Sequence, residues 1–137
     1  MSTDAKLLAA ARSWEGTPFC ERAAIKGSGV CCHKLMSEIL NEAFGTAFDP
    51  PNGDARQGRF DRVGEMTAWF RASKDFAPAQ EPFQPGDILL IRTGVSPNHM
   101  VMILPEGLMV HVGSSVVVGP INRRFLPLLR SAWRLVR

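Results

Sequence analysis

The sequence predicts an α+β fold, with helices first and an antiparallel sheet after them. Three observations carry this expectation. Apolar residues recur at helical spacing early in the chain, at Leu7, Leu8, Ala11 and Trp14, and again at Leu35, Met36, Ile39, Leu40 and Ala43. Later come short runs rich in Ile, Leu, Val and Met, separated by turn residues. Between two of these runs stand only Pro105, Glu106 and Gly107, a connection short enough for a hairpin and too short for a parallel crossover.

Taken in order, the first helix is expected over Asp4–Trp14, capped by Asp4 and broken by Glu15–Pro18. Phe19–Val30 reads as a loop, with Gly27 and Gly29 close together. A second helix begins at Cys31 and stops at Gly45, where a left-handed residue is wanted. Phe48–Arg59 is a loop rich in Pro, Asn and Gly. Val63–Ser73 forms a third helix with Met66, Trp69 and Phe70 inward, and Pro78–Pro85 is a connector. Strands are expected at Asp87–Thr93, His99–Leu104, Leu108–Val112, Ser115–Val118 and Ala132–Val136.

Composition sets the outer bounds. At 137 residues, with 45% apolar and 21% charged, the chain reads as one domain over 1–137 with a core that needs neither disulfide nor metal. The net charge of +3 comes from arginines late in the chain, among them Arg123, Arg124, Arg130, Arg134 and Arg137. Their spacing suits a solvated face. No aromatic-interleaved basic motif points to nucleic acid. No stretch approaches the roughly 18 apolar residues of a membrane span. Met1–Trp14 lacks a basic start followed by an apolar run, so synthesis in the cytoplasm without a signal peptide is expected. Three cysteines, two of them adjacent, argue against a disulfide framework.

Cys32 is the first candidate for chemistry. It stands where a glycine-containing loop meets a helix. A helix N-terminus offers free N–H groups and the positive end of the dipole, which favour a thiolate and can hold an oxyanion. A buried inert thiol is the plainer alternative. The histidines shift that balance. A turn centred near residue 105 or 106 puts His99 and His111 on one face of the hairpin, because strand side chains alternate with period two. A nucleophile, a base and a residue that orients the base are then available. His33 is adjacent to Cys32 and cannot face it along a helix, so it reads as a residue at the site's rim. A zinc site from Cys20, Cys31, Cys32, His99 and His111 is disfavoured: no Cys-x-x-Cys pair is present, and adjacent cysteines rarely ligate one tetrahedral ion.

The segments "WEGTPF" and "KGSGVCCHKL" resemble the NlpC family of papain-like cell-wall peptidases. Members of that family typically carry Gly-Thr-Pro-Tyr and, at the nucleophile, Gly-Val-Asp-Cys-Ser-Gly-Leu. "PGDILLI", "NHMVMIL" and "LMVH" are similar to its later strands, in the same order. The resemblance implies a papain-like core in which Cys32 is the nucleophile, His99 the general base and His111 the orienting residue. It implies a cysteine peptidase or amidase acting on peptidoglycan stem peptides without a cofactor, of phage or prophage type and delivered to the wall by phage or secretion machinery. The positions matching the family's substrate-holding Asp and Tyr are Cys31 and Phe19, and its Ser-Gly is His33-Lys34. These departures keep two other functions open: a degenerate domain serving in phage tail assembly, and an acyltransferase or deamidase on the same fold.

Overall fold

The computed structural model describes residues 1–51, 62–92 and 99–136, with backbone alone for 62–65. Helix α1 spans Thr3–Ser13. Its cap is Ser2, not Asp4: the Ser2 hydroxyl accepts from the Ala5 N–H at 3.1 Å. Asp4 lies one step inside, in the first turn, where a carboxylate faces the positive end of the dipole. Leu7, Ala10, Ala11 and Trp14 are buried, and the Trp14 indole donates to Glu42 at 3.1 Å, tying the end of α1 to α2.

The segment expected as a plain loop before Cys31 contains a miniature hairpin, β1 (Ala24–Ile25) paired with β2 (Gly29–Val30). Two-residue strands are too short for alternation to register in a sequence. Gly29 is required here by crowding, since a Cβ would meet that of Cys20 at 2.6 Å. Helix α2 then runs Cys32–Phe44 with Cys31 extended at its cap position, and Gly45 ends it at φ 68° with its N–H bonded to the Asn41 carbonyl. Leu35, Met36, Ile39, Leu40 and Ala43 are all buried, as their spacing predicts. Helix α3 spans Arg62–Ala72; Met66 and Phe70 are buried and Trp69 packs against the core. Positions 52–59 of the expected Phe48–Arg59 loop lie outside the described residues, as does Thr93.

Six antiparallel strands form the sheet: β3 (Phe76–Pro78), β4 (Ile88–Ile91), β5 (His99–Ile103), β6 (Leu108–Val112), β7 (Val116–Pro120) and β8 (Leu129–Leu135), in the order β3-β8-β4-β5-β6-β7. Strand β3 extends from the segment before the expected connector, Pro78 included, and pairs with β8. Strand β8 starts three residues earlier than its apolar pattern suggests, after a 3-10 helix at Arg123–Leu128. Its added residues pair with β4, Leu129 opposite Ile91 and Ser131 opposite Leu90, and farther along Arg134 makes two bonds of 2.9 and 2.8 Å to the fully buried carboxylate of Asp87. That pairing allows a polar-looking segment to lie second from the edge of the sheet.

The sheet separates two apolar layers. Ile88, Leu90, Met100, Met102, Val110, Val112 and Trp133 face the helices. Leu89, Ile91, Val101, Ile103 and Ala132 face the other way, toward Phe83, Ile121 and the 3-10 helix. Among the described residues, no helix is long and apolar enough to cross a membrane.

Among the glycines with left-handed backbone and nothing within 4 Å of where a Cβ would sit are Gly45 at φ 68° and Gly107 at φ 71°. Replacing either by Ala should therefore cost only the backbone penalty, about 1–2 kcal/mol. Urea unfolding of Gly45→Ala and Gly107→Ala measures it; unchanged midpoints would mean that these turns relax to ordinary geometry.

Candidate active site

The site is built on the β5–β6 hairpin. Glu106 and Gly107 both take left-handed φ, 66° and 71°, within the Pro105–Gly107 turn. The register pairs Met102 with Val110 and Ile103 with Met109. Of the two registers open to the sequence, this is the one centred on Glu106. His99 and His111 become diagonal neighbours on one face. Their rings meet edge to face, 5.1 Å between centroids, with His99 Nε2 3.1 Å from His111 Nδ1. One ring donates and the other accepts, so the bond couples the two tautomers and leaves His99 Nδ1 outside it.

Phe125, carried by the 3-10 helix, packs on both imidazoles at centroid distances of 5.7 and 5.8 Å. Its sequence context, Arg123 and Arg124 before it and Leu126 to Leu129 after it, does not mark it for this position. The consequence is desolvation. Burial, with the neighbouring His111 as the lesser cause, pushes His99 down from 6.5 to about 4. Burial likewise lowers His111. Both imidazoles are neutral at pH 7.

Cys32 is the first residue of α2, and no acidic side chain in that first turn offsets the dipole. It is 7% exposed and packs into the helical layer, while α2 itself lies across β5 and β6. The His99 ring belongs to the face that carries Val101 and Ile103. Cys32 and the His99 ring therefore lie on opposite sides of the sheet.

The three expected substrate-side residues divide. Phe19 keeps 45% of its surface exposed, and its backbone is anchored by an N–H bond to the Ser114 carbonyl at 2.9 Å. Cys31 and His33 are enclosed, at 0% and 2% exposure. Cys31 Sγ lies 3.5 Å from His33 Nδ1. His33 lines a small apolar cavity together with Met36, Phe48, Pro50 and Trp69. Among the described residues, no three His, Cys, Asp or Glu side chains gather where a metal could bind.

No family model and no curated protein matches the chain by sequence. Solved structures do. RipD from Mycobacterium tuberculosis, described as a non-catalytic NlpC/p60 domain protein adapted to peptidoglycan binding, superposes with a TM-score of 0.63 over 100% of this chain and 99% of its own, at 16% identity. The NlpC/p60 domain of the peptidoglycan hydrolase SagA gives 0.60 over 98% and 100%, at 18% identity. The P60 domain of the Mycobacterium avium paratuberculosis antigen MAP1272c gives 0.58 over 98% and 93%, at 17% identity. The chain has the NlpC/p60 fold, helices on an antiparallel sheet.

Because the folded pKa of His99 lies below its unfolded value, the unfolded chain binds more protons between pH 6.5 and 4. The stabilisation is whole above pH 6.5 and is lost as pH falls toward 4. The parent protein should therefore be about 2 kcal/mol less stable at pH 5 than at pH 7 through this residue. His99→Gln should remove that part of the slope in urea titrations at the two pH values. An identical slope in the variant would show that His99 titrates normally.

Proposed function

We propose that this chain is a cysteine hydrolase of the NlpC/p60 type, acting on amide bonds in bacterial peptidoglycan peptides. The observation that carries the reading is the hydrogen-bonded His99–His111 pair, held on neighbouring strands in a fold whose α2 begins with Cys32. In this reading, a substrate carbonyl meets the Cys32 thiolate. The thiol proton passes to His99 Nδ1 once the ring, carried by the first residue of β5, comes round from the far side of the sheet, where His111 bonds Nε2 in the resting arrangement. The N–H groups at the start of α2 donate to the oxyanion. The proton on His99 then goes to the leaving amine, and water releases the acyl group from sulfur.

The lowered pKa of His99 qualifies how this works. A neutral imidazole is available at pH 7, but it binds a proton weakly. Forming the imidazolium is favourable only when the thiolate stands beside it and supplies the compensating charge. The helix dipole must carry the rest of the activation. A specific observation favours a second reading, peptidoglycan binding without cleavage: the residues flanking Cys32 are packed inward, and the similar RipD is itself described as non-catalytic.

Thiol reactivity separates the two. As an enzyme, the protein should alkylate with iodoacetamide at Cys32 well before Cys20 or Cys31, and should release peptides from purified peptidoglycan. His99→Ala should lower hydrolysis by at least a hundredfold, and His111→Ala by roughly tenfold to a hundredfold, since an orienting residue acts through the base. Binding to peptidoglycan with a slow, ordinary Cys32 would establish the second reading.

A further inference from the structure

A cleft of about 870 Å³ lies between the end of α2, the first turns of α1, the loop 84–87 and the end of β8. Helix α2 runs Cys32–Phe44, so the cleft is about 18 Å along that helix from Cys32. Four charged side chains line it: Lys6, Glu42, Asp87 and Arg134. Asp87 and Arg134 offset one another. The fully buried Asp87 carboxylate accepts from Arg134 Nε at 2.9 Å, from Arg134 Nη2 at 2.8 Å and from the Gln84 N–H at 2.8 Å. These bonds fix the guanidinium in the wall of the cleft and leave Nη1 outside the fork, on a side chain that is 32% exposed. Glu42 is offset too, by Lys26 at 2.9 Å, and it also accepts from the Trp14 indole. Lys6 is exposed, and among the described residues no carboxylate pairs with it. Its ammonium is the one charge of the lining that nothing balances. Leu40, Ala43, Pro85 and Leu135 supply apolar wall around these groups.

We propose that this cleft binds the C-terminal carboxylate of a peptide, with Lys6 Nζ and Arg134 Nη1 as its charged donors. The charge of the lining selects the ligand class. One unbalanced positive charge matches a monoanion, whereas a phosphate dianion would bring a second charge with no partner. The apolar wall favours an anion that carries an organic body, here the last side chain of the peptide. Arg134 is held in place before any ligand arrives, so its donor is ordered at no cost to binding. The inference goes beyond the hydrolase reading and does not depend on it. A peptide end held here needs no chemistry at Cys32, and the cleft serves as a second point of attachment whether or not the thiol reacts.

NMR titration of the full chain with N-acetyl-alanyl-alanine, and separately with its C-terminal amide, tests this. The acid should bind saturably and shift the backbone N–H signals of Gly45, Gly86 and Leu135. Its amide should bind at least tenfold more weakly, since a charge-assisted contact is lost. Lys6→Gln, a change at an exposed position of α1, should weaken the acid by tenfold or more and leave the amide as it was; Lys6→Arg should restore the acid. Inorganic phosphate should bind at least tenfold more weakly than the acid. Phosphate binding as tight as the acid would make this a general anion surface and overturn the proposal. Equal binding of acid and amide, or shifts centred on His99 and His111, would overturn it as well. Alkylation of Cys32, measured in parallel, reports on the hydrolase reading alone, because Lys6→Gln should leave its rate unchanged.

Discussion

The register of the β5–β6 hairpin governs both the core and the site. Two consecutive left-handed residues, Glu106 and Gly107, centre the turn on Glu106. From there, alternation sorts every side chain on the two strands. Met100, Met102, Val110 and Val112 go to the helices, while Val101, Ile103 and Met109 go to the other face. His99 and His111 travel with the second set. A slip of one residue on either strand would bring one imidazole into the helical core and leave its partner behind. The hydrogen bond between the rings is therefore a consequence of packing, enforced by the same apolar contacts that stabilise the sheet.

The second constraint is electrostatic. Phe125 shields a pair of groups that water would otherwise solvate, and the pair remains neutral as a result. Such a pair is ordered and ready to accept one proton, but it cannot hold two, because the bond between the rings needs an acceptor. This favours a mechanism in which charge appears on His99 only together with charge on sulfur. The positive end of α2 and the absence of an acidic residue in its first turn act on that sulfur from the other side.

Long periodic segments were legible in the sequence, and short or polar ones were not. The buried stripe of α2 and its Gly45 terminus follow from spacing alone, as do β5 and β6 and the common face of the two histidines. The hairpin β1–β2 and strand β3 are two or three residues long, below the length at which a period exists. Strand β8 was expected from Ala132, and its first three residues were missed because Arg130 and Ser131 interrupt the apolar pattern. Phe125 was hidden for a different reason: its partners are 14 and 26 residues away, and only the tertiary fold brings it onto them. Proximity between segments, unlike periodicity within one, leaves no local signature.

The flanks of Cys32 show the same lesson at finer scale. Read along the chain, Cys31 and His33 look like two separate departures from the NlpC pattern, each bearing on substrate. In space they are one feature, a thiol and an imidazole 3.5 Å apart, both enclosed. A carboxylate at position 31 would have to be buried in this surrounding, at a cost that only a charged partner could offset. A thiol makes no such demand, since it packs as a small apolar group with a weak S–H donor. The substitution therefore reads as a change of packing beneath α2.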